Sequence, residues 1–211
     1  MAQKRSELAG ERRGYHHGRL KDAVIEAARA LVAERGLAEF TLAEAAKMVG
    51  VTGAAPYRHF VDRTELLAEL VRKGFDDFAS GLERAWGDGG PTALSAFMRV
   101  GQAYLEFARA EPALYSAMFA YQLPHEPTAI ADGGHRAQRV VQNACAAVLK
   151  QFGAPADGAR SLGMQIWAIT HGVAQLSISG QFARAGVDPM EMLSETAMRL
   201  VQAEVRVSIK R

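Results

Sequence analysis

The chain has 211 residues, which is enough for one or two domains with a sizeable hydrophobic core. Hydrophobic residues make up 49% and charged residues 23%, as in globular proteins, and the net charge of +2 does not by itself indicate a nucleic-acid partner. The sequence has no apolar run suited to a signal peptide or a membrane span, and Cys145 is its only cysteine. We therefore expect a cytoplasmic protein with no disulfide and no membrane partner.

Positive charge is concentrated at the start of the chain. The first 21 residues hold six basic residues and two acidic ones, a net charge of +4. This composition favours a basic flexible arm over residues 1–17 that follows DNA phosphates, although a solvated tail or a cloning remnant would share it. His16 and His17 have no partner at helical spacing for a metal, so we interpret them as facing phosphate or solvent.

The first predicted helix covers residues 19–35. It ends at Gly36, a residue suited to the left-handed conformation of a helix C-cap. The second helix follows Thr41, which has Glu44 three residues later, the spacing of a capping box, and this helix ends at Gly50. The apolar stripe of the first helix consists of Leu20, Val24, Ala27, Ala28 and Leu31.

A third helix is predicted after this turn, from Gly53 to about Phe60, with Thr52 as its N-cap. Pro56 lies four residues after the cap, where proline removes only the first intrahelical hydrogen bond. Two short helices joined by a turn that contains glycine form the pattern of a helix-turn-helix motif. An ordinary short helix in a helical bundle is the alternative.

The residue types of the third helix are suited to DNA. Its first turn has small side chains that allow close approach, Tyr57 and His59 can donate to phosphate oxygens, and Arg58 can contact phosphate or guanine. We expect the alanines to contact thymine methyl groups, and Thr41 and Arg63 to contact phosphate at helix N-termini. The predicted DNA-binding residues are Thr41, Thr52, Gly53, Ala54, Ala55, Pro56, Tyr57, Arg58, His59 and Arg63.

A fourth helix is predicted to begin after Asp62, an N-cap with Glu65 three residues later, and to weaken towards Trp86. It belongs partly to the predicted DNA-binding domain, residues 18–78, and partly to the domain predicted over residues 79–211. The sequence therefore predicts that this helix is the mechanical link between the two.

The segment after the break at residues 87–91 is predicted to be helical again. Pro91 is expected at the first position of a helix that Pro112 ends. A short aromatic helix around residues 114–119 then leads to a loop over residues 122–127, which contains two prolines.

Three further helices complete the predicted all-α fold. They are expected over residues 128–152, over about 157–183, and from Asp188 onward, where Pro189 is at the first helical position and Glu191 is a capping-box acid. The second of these is apolar nearly all round, as expected of a helix buried on both sides. The fold class is thus a three-helix DNA-binding domain followed by a larger helical domain for ligand binding and dimerisation.

Three segments of the N-terminal part form a specific combination: GL–FTLAEAA–VGVT over residues 36–52, PYRHF over 56–60 and DRTELL over 62–67. In these segments residues 18–78 resemble the N-terminal domain of TetR-type transcriptional regulators, and the resemblance implies a DNA-binding regulator. Arg63 departs from the family pattern, in which lysine is usual, and the GAAP opening of the third helix leaves few polar base readers.

Trp167, His171 and Gly172 are similar to a Trp–His–Gly signature in the C-terminal domain of one TetR subgroup. Trp167 and His171 lie four residues apart and share a helix face. Either this face lines a cavity with His171 as the polar anchor, or His171 is a core residue bonded to a neighbouring carbonyl.

A mostly apolar ligand pocket is predicted from large aromatic and polarisable side chains around the segment that proline interrupts. The predicted pocket residues are Phe97, Tyr104, Tyr115, Met118, Phe119, Trp167 and His171.

These features favour a dimeric repressor that a small-molecule effector releases from a palindromic double-stranded DNA operator. The homodimer is expected to form through the last two long helices, because they carry excess apolar surface. A constitutive DNA-binding protein is the alternative. An enzyme is not expected, because phosphate-binding loops, nucleophile contexts and metal-ligand clusters are missing, and we expect no cofactor and no metal.

Overall fold

The computed structural model describes residues 2–120 and 128–209, and it contains only helices and connecting segments there. The chain divides into two compact units, Met1–Lys73 and Gly74–Arg211, with a boundary five residues before the predicted one. The α-helices are α1 (Ala2–Arg35), α2 (Leu42–Val49), α3 (Arg63–Trp86), α4 (Ala93–Ala110), α5 (Pro112–Ala120), α6 (Thr128–Gln151), α7 (Ala159–Ile178), α8 (Gln181–Ala185) and α9 (Pro189–Ile209). The all-α fold predicted from the sequence is confirmed, whereas the predicted loop at residues 122–127 lies outside the described residues.

Helix α1 begins at Ala2 and not at residue 19, so the structure continues it through the segment predicted as a flexible arm. The segment is rich in residues that favour helix, among them alanine, arginine, lysine, glutamate and leucine. That this segment follows DNA phosphates stays a prediction.

The core of the first unit forms where α1, α2 and the start of α3 pack together. Val24, Ala27, Ala28 and Leu31 of the predicted apolar stripe of α1 lie in this core, whereas Leu20 is only half-buried. Because this core orients α2 and the segment after it, it determines what that segment presents to solvent. Its other buried members are Ile25, Val32, Phe40, Ala45, Ala46, Phe60, Leu66, Leu67 and Leu70.

The capping predictions for α2 are confirmed. The Thr41 hydroxyl accepts from the backbone N–H of Glu44 at 3.2 Å, and the Glu44 carboxylate accepts from the backbone N–H of Thr41 at 2.8 Å. Gly50 ends the helix at φ 79°, a left-handed conformation that other residues adopt only with strain.

The predicted third α-helix is wrong. The segment folds as a single turn of 3-10 helix, Ala55–Arg58, in which the N–H of Ala55 bonds to the carbonyl of Thr52 at 2.9 Å. The Thr52 hydroxyl makes no cap, because the residue before the helix is Ala54 and no side chain caps it. Gly53 has a low helix propensity and Pro56 lacks an N–H, so this stretch does not propagate an α-helix.

Helix α3 begins as predicted, with the Asp62 carboxylate accepting from the N–H of Glu65 at 2.9 Å. The Glu65 carboxylate accepts from the N–H of Val61 instead of closing a capping box with Asp62. The helix runs without interruption to Trp86, so its residues belong to both units.

In the second unit α4, α6, α7 and α9 enclose the core. Helix α4 starts one residue after Thr92, which forms a capping box with Ser95, so Pro91 lies before the helix and the prediction of a first-position proline is wrong. Pro112 ends α4 as predicted, and α5 begins there. The Asp188 carboxylate caps α9 as predicted by accepting from the N–H of Met190 at 2.7 Å.

The long helix predicted over residues 157–183 is divided in two. Helix α7 ends at Ile178, and Gly180, at φ 71°, separates it from the short helix α8. The prediction that this helix is buried on both sides is also wrong for the single chain, because Met164 is 49% exposed and Leu176 is 39% exposed.

Candidate nucleic-acid interface and aromatic cluster

The 3-10 turn and the residues before it expose five of the residues that were predicted to contact DNA. Thr52, Gly53, Ala54, Tyr57 and Arg58 are exposed. With 59% of its surface exposed, the Tyr57 ring lies outside the core, although aromatic residues usually pack inward. We call residues 52–58 the reading segment.

The reading segment forms one side of an open concavity of about 430 Å³. Gly50 and Val51 line it together with Thr52, Ala54, Ala55 and Arg58. The side chains that line it are small and apolar apart from the Thr52 hydroxyl and the Arg58 guanidinium. Such a lining is suited to contact with base methyl groups and to one hydrogen bond with a base edge or a phosphate.

Two residues of the predicted DNA-binding set face inward. Pro56 is buried, so its side chain is not available to DNA, which corrects the prediction. His59 is half-buried, and its ring packs edge-on against Phe60 at 6.4 Å between centroids. Phe60 is 1% exposed and anchors the end of the reading segment in the core, as its position in the sequence predicted.

Thr41 is exposed and Glu44 is half-buried, and their side chains are hydrogen-bonded to each other, while the Glu44 carboxylate also pairs with Arg35 at 2.9 Å. The Thr41 hydroxyl donates to the Glu44 carboxylate at 3.0 Å in addition to its capping bond. This hydroxyl, followed by the Thr41 backbone N–H, holds the pKa of Glu44 below its usual range. The role of Thr41 shown by the geometry is to fix the start of α2, and a phosphate contact stays a prediction.

Arg63 has a structural role that the sequence did not reveal. Its Nε donates to the carbonyl of Phe40 at 2.9 Å, and its Nη2 donates to the carbonyl of Leu37. The guanidinium also lies 4.7 Å from the centroid of the Phe40 ring. Arg63 therefore secures the α1–α2 connection to the start of α3, and its predicted phosphate contact would have to use the remaining N–H groups.

Ion pairs tie α1 to α3 on the other side of the first unit. Lys21 Nζ lies 2.9 Å from Glu69 Oε1, and Lys73 Nζ lies 2.6 Å from Glu26 Oε1. Together with Arg63 they hold the reading segment on a frame of two long helices.

In the second unit, three of the predicted pocket residues form a chain of hydrogen bonds. The hydroxyl of Tyr104 lies 3.0 Å from that of Tyr115, which lies 2.7 Å from Nδ1 of His171. Both tyrosines are buried and His171 is half-buried. Among the described residues, the bonds of His171 are to side chains, whereas a backbone carbonyl is the partner expected if it were an ordinary core residue.

The direction of the bonds in this chain follows from the burial of Tyr104. Its hydroxyl proton can be satisfied among the described residues if Tyr104 donates to Tyr115 and Tyr115 donates to Nδ1 of His171. His171 then carries its own proton on Nε2. Burial lowers the pKa of His171 and raises that of Tyr104, so the hydrogen-bonded side chains are uncharged near pH 7.

Aromatic rings surround these hydroxyl groups. The ring centroid of Phe119 lies 4.6 Å from that of His171 and 6.4 Å from that of Trp167. The ring centroids of Tyr104 and Trp167 lie 5.4 Å apart. Helix α3 contributes Phe78, 4.8 Å from Tyr104, and Phe75, 5.5 Å from Phe119. Phe75 and Phe78 were not among the predicted pocket residues, although their spacing places them on one face of α3. We call these seven rings, including Tyr115, the aromatic cluster.

The other two predicted pocket residues lie apart from the hydrogen-bonded chain. Phe97 lines a small apolar cavity of about 20 Å³ that Tyr104 also borders, and the cavity has room for about one water molecule. Met118 is 5% exposed and packs where a side chain at Gly74 would lie. Phe97 and Met118 are thus buried beside the cluster, whereas Phe119, Trp167 and His171 are half-buried.

A larger groove of about 1010 Å³ was not predicted. It lies between the end of α4, the end of α7, α8 and the start of α9, with Leu105 and Phe182 on its apolar side and Glu106 and Arg109 on its polar side. No single segment signals it, because its walls come together only after the break at Gly180. Within residues 2–120 and 128–209 there is no helix that could span a membrane and no group of His, Cys, Asp and Glu that could hold a metal.

Comparisons with known proteins agree with this architecture. Residues 24–70 match the family of bacterial regulatory proteins of the tetR type, and residues 97–201 match the C-terminal domain of tetracyclin repressor-like proteins. No curated protein matches the chain in sequence.

Solved structures share the fold over nearly the whole chain. A protein of unknown function from Rhodococcus sp. RHA1 is 25% identical with a TM-score of 0.79, over 90% of this chain and 98% of its own. A TetR-family transcriptional regulator from Pectobacterium atrosepticum is 19% identical with a TM-score of 0.67, over 90% and 96%. A tetR-family regulatory protein from Rhodococcus RHA1 is 16% identical with a TM-score of 0.66, over 88% and 96%. With a helix-turn-helix unit and a helical C-terminal unit that each match the family, the chain belongs to the TetR family of bacterial transcriptional regulators.

Proposed function

We propose that the protein is a homodimeric repressor that binds a palindromic operator and is released from it by a small, mostly apolar molecule. The observation that carries the DNA-binding part is the reading segment. Thr52, Gly53, Ala54, Tyr57 and Arg58 are exposed there, while Pro56 within the segment and Phe60 after it are buried in the core. An exposed tyrosine and arginine beside small residues form a surface suited to contact with DNA.

Dimerisation is supported by apolar side chains left exposed on the last two long helices. Met164 and Leu176 on α7 and Met192 and Val207 on α9 are between 39% and 49% exposed. A second copy would cover them, with an interface above about 1,000 Å². Two copies would also place two reading segments on half-sites about 34–36 Å apart, one turn of DNA. Light scattering at micromolar concentration should give the mass of a dimer, and a monomer would overturn this part of the proposal.

The DNA contacts are tested by comparing two variants on two duplexes. A specific duplex is first selected from a random-sequence pool by the wild-type protein, and a scrambled duplex serves as reference. Tyr57→Ala should weaken binding to both duplexes alike, because Tyr57 contacts phosphate. If Arg58 contacts a guanine, Arg58→Ala should weaken binding to the selected duplex by about 1–3 kcal/mol more than binding to the scrambled duplex. Equal losses on both would show that Arg58 contacts only phosphate.

Ligand binding is supported by the aromatic cluster and its buried hydroxyl groups. A ligand that separates Phe119 from Trp167 and His171 would displace rings that also contact Phe75 and Phe78 on α3. Since α3 continues into the first unit, its tilt would change the separation of the two reading segments. Coupling of about 1–3 kcal/mol is typical of such linkage, and operator DNA would weaken the ligand by the same factor.

The small size of the cavity that Phe97 and Tyr104 border, about 20 Å³, favours a second candidate, a constitutive DNA-binding protein. The two are separated by screening apolar compounds with Trp167 fluorescence in a Trp86→Phe background, with and without the selected duplex. A compound whose affinity falls when the duplex is present supports the repressor. If every compound that binds has the same affinity with and without the duplex, the protein acts as a constitutive DNA-binding protein.

A further inference from the structure

His171 presents an N–H group that is open to a ligand. Its Nδ1 accepts from the hydroxyl of Tyr115 at 2.7 Å, so the proton of the neutral ring is on Nε2. Among the described residues, no group bonds to Nε2, and this atom is not buried. The Nε2–H group is therefore an accessible hydrogen-bond donor at the half-buried side of the aromatic cluster.

The two tyrosines fix which nitrogen of His171 carries the proton. With its proton on Nδ1, the ring would donate to the Tyr115 oxygen, and Tyr115 would then donate to Tyr104. The hydroxyl of Tyr104, a residue that is 1% exposed, would have no acceptor among the described residues, an arrangement that buried hydroxyl groups avoid. The tyrosines thus hold Nε2 as a donor and prevent it from acting as an acceptor.

Ring surface surrounds this donor. The ring centroid of His171 lies 4.6 Å from that of Phe119, with the planes at 63°, and 5.7 Å from that of Tyr115, with the planes at 34°. Phe119 and Trp167 are half-buried, so part of their ring surface is accessible beside the donor. Planar aromatic groups pack against such rings in stacked or edge-on geometry.

The aromatic cluster has no charged side chain. Burial lowers the pKa of His171 and raises the pKa of Tyr104 and of Tyr115, so all three are uncharged near pH 7. A carboxylate placed among these rings would lose its hydration without gaining a cation, and an ammonium group would lie against an N–H donor. A neutral ligand that has a hydrogen-bond acceptor meets neither difficulty.

We propose that the ligand of this site is an uncharged, planar aromatic carbonyl compound whose oxygen accepts a hydrogen bond from Nε2–H of His171. A carbonyl oxygen is favoured over a hydroxyl because it brings no proton that needs an acceptor in turn. Tyr115, held by Tyr104, is a positioning residue that keeps His171 in the donating form. The inference rests on the proposed function and adds to it the chemical class of the effector.

Naphthalenes that carry substituents of similar shape separate the possible ligand classes. The probes are methyl β-naphthyl ketone, the alcohol obtained by reducing it, β-ethylnaphthalene, β-naphthoate, and the amine in which an ammonium group replaces the hydroxyl of the alcohol. Equilibrium dialysis against the full-length protein, without DNA, gives their dissociation constants. The ketone should bind at least about tenfold more tightly than the carboxylate and the amine, because both charged groups would have to be desolvated.

The donor is tested with His171→Asn. The side-chain oxygen of asparagine can take the place of Nδ1 and keep the bond to Tyr115, whereas the variant has no group at the position of Nε2. Affinity for the ketone should fall about tenfold, and affinity for β-ethylnaphthalene, which has no acceptor, should stay within about twofold. His171→Gln, whose amide N–H can reach the position of Nε2, should recover part of the affinity for the ketone.

Infrared spectroscopy of the bound ketone tests the hydrogen bond itself. Donation from Nε2–H weakens the C=O bond, so its stretching frequency should be lower in the wild-type complex than in the complex with His171→Asn. A purely structural role of His171 would leave this frequency unchanged.

The positioning role of Tyr115 is tested by the ratio of the affinities for the ketone and the alcohol. In the double variant with Tyr104→Phe and Tyr115→Phe, no tyrosine donates to Nδ1, so His171 can carry its proton there and accept from the alcohol at Nε2. The ratio should fall about fivefold. Tyr104→Phe alone is the matched control, because Tyr115 still donates to Nδ1, and its ratio should stay within about twofold of the wild-type value.

Several results would overturn the inference. They are equal losses of ketone and hydrocarbon affinity in His171→Asn, an unchanged carbonyl frequency, tighter binding of the carboxylate or the amine, and binding of none of the probes. An unchanged ratio in the double variant would overturn the role of Tyr115, and His171→Asn decides the test if circular dichroism shows that the double variant does not fold.

Failure of the proposed function gives a different result. The ketone would then bind as expected, with the same affinity in the presence and absence of the selected duplex. That outcome would overturn release from DNA by this ligand, whereas the ligand class of the site would stand.

Discussion

Tyr115→Phe is the variant that examines the aromatic cluster most directly. The substitution keeps the ring and removes the central hydroxyl of the hydrogen-bonded chain. His171 Nδ1 loses its 2.7 Å donor, and the hydroxyl of Tyr104 loses the acceptor at 3.0 Å. Tyr104 is 1% exposed and has one other possible acceptor among the described residues, Nδ1 of His171 at 3.4 Å.

The size of the effect follows from these distances. A buried donor left without an acceptor costs about 1–3 kcal/mol. Because the Tyr104 hydroxyl can turn towards His171 and recover part of a bond, we expect a loss of about 1–2 kcal/mol. For a chain of this length, that loss lowers the unfolding midpoint by about 2–8 °C.

Tyr104→Phe is the matched control, because it also removes one hydroxyl from a buried tyrosine. In that variant Tyr115 still donates to His171, and the Tyr115 oxygen loses only the hydrogen bond that it accepts from Tyr104. An under-satisfied acceptor costs less than an orphaned donor, so the loss should be about 0.5–1 kcal/mol. Urea unfolding followed by tryptophan fluorescence measures both, at one fixed protomer concentration because dimerisation would contribute. If Tyr104→Phe costs as much as Tyr115→Phe or more, the assigned direction of the bonds is wrong.

Three further outcomes are expected. Arg63→Ala should destabilise the protein by about 2–3 kcal/mol, because the partly buried backbone carbonyls of Phe40 and Leu37 lose a charged donor. Arg58→Ala, on the exposed reading segment, should change stability by less than about 0.5 kcal/mol. Equal effects of the two substitutions in urea unfolding would contradict the role of Arg63. Since burial lowers the pKa of His171 in the folded state, the unfolded chain takes up a proton first, and stability should fall as the pH drops below about 6.5. His171→Asn should lose less midpoint temperature than the wild type between pH 7.5 and 5, and parallel pH profiles would refute this reasoning. Gly50→Ala should cost about 1–2 kcal/mol, because φ is 79° there, and an unchanged unfolding midpoint would show that the turn relaxes freely.

The local elements of the fold were determined by the sequence alone. The capping box at Thr41, the left-handed Gly50 and the caps at Asp62 and Asp188 depend on side chains within four residues of the backbone groups they satisfy. Their geometry is nearly independent of the rest of the chain, so residue type and spacing predicted them. The composition of the reading segment likewise indicated its chemistry, although Gly53 and Pro56 made it a 3-10 turn where an α-helix was expected.

Only the tertiary structure decided the contacts between distant segments. Arg63 bonds to carbonyls 23 and 26 residues away, and His171 meets Tyr115 across 56 residues. No periodicity predicts which of many possible partners such a side chain reaches, because the choice depends on how whole helices pack. The same holds for two neighbouring glycines of α6: a Cβ atom at Gly133 would lie 2.8 Å from Cβ of Phe75 and 3.4 Å from the backbone N of Asp76, whereas one at Gly134 would make only an ordinary contact with the Phe75 ring. A helix pattern specifies which face is apolar, but the depth and angle at which two faces meet are set by the side chains of both helices together.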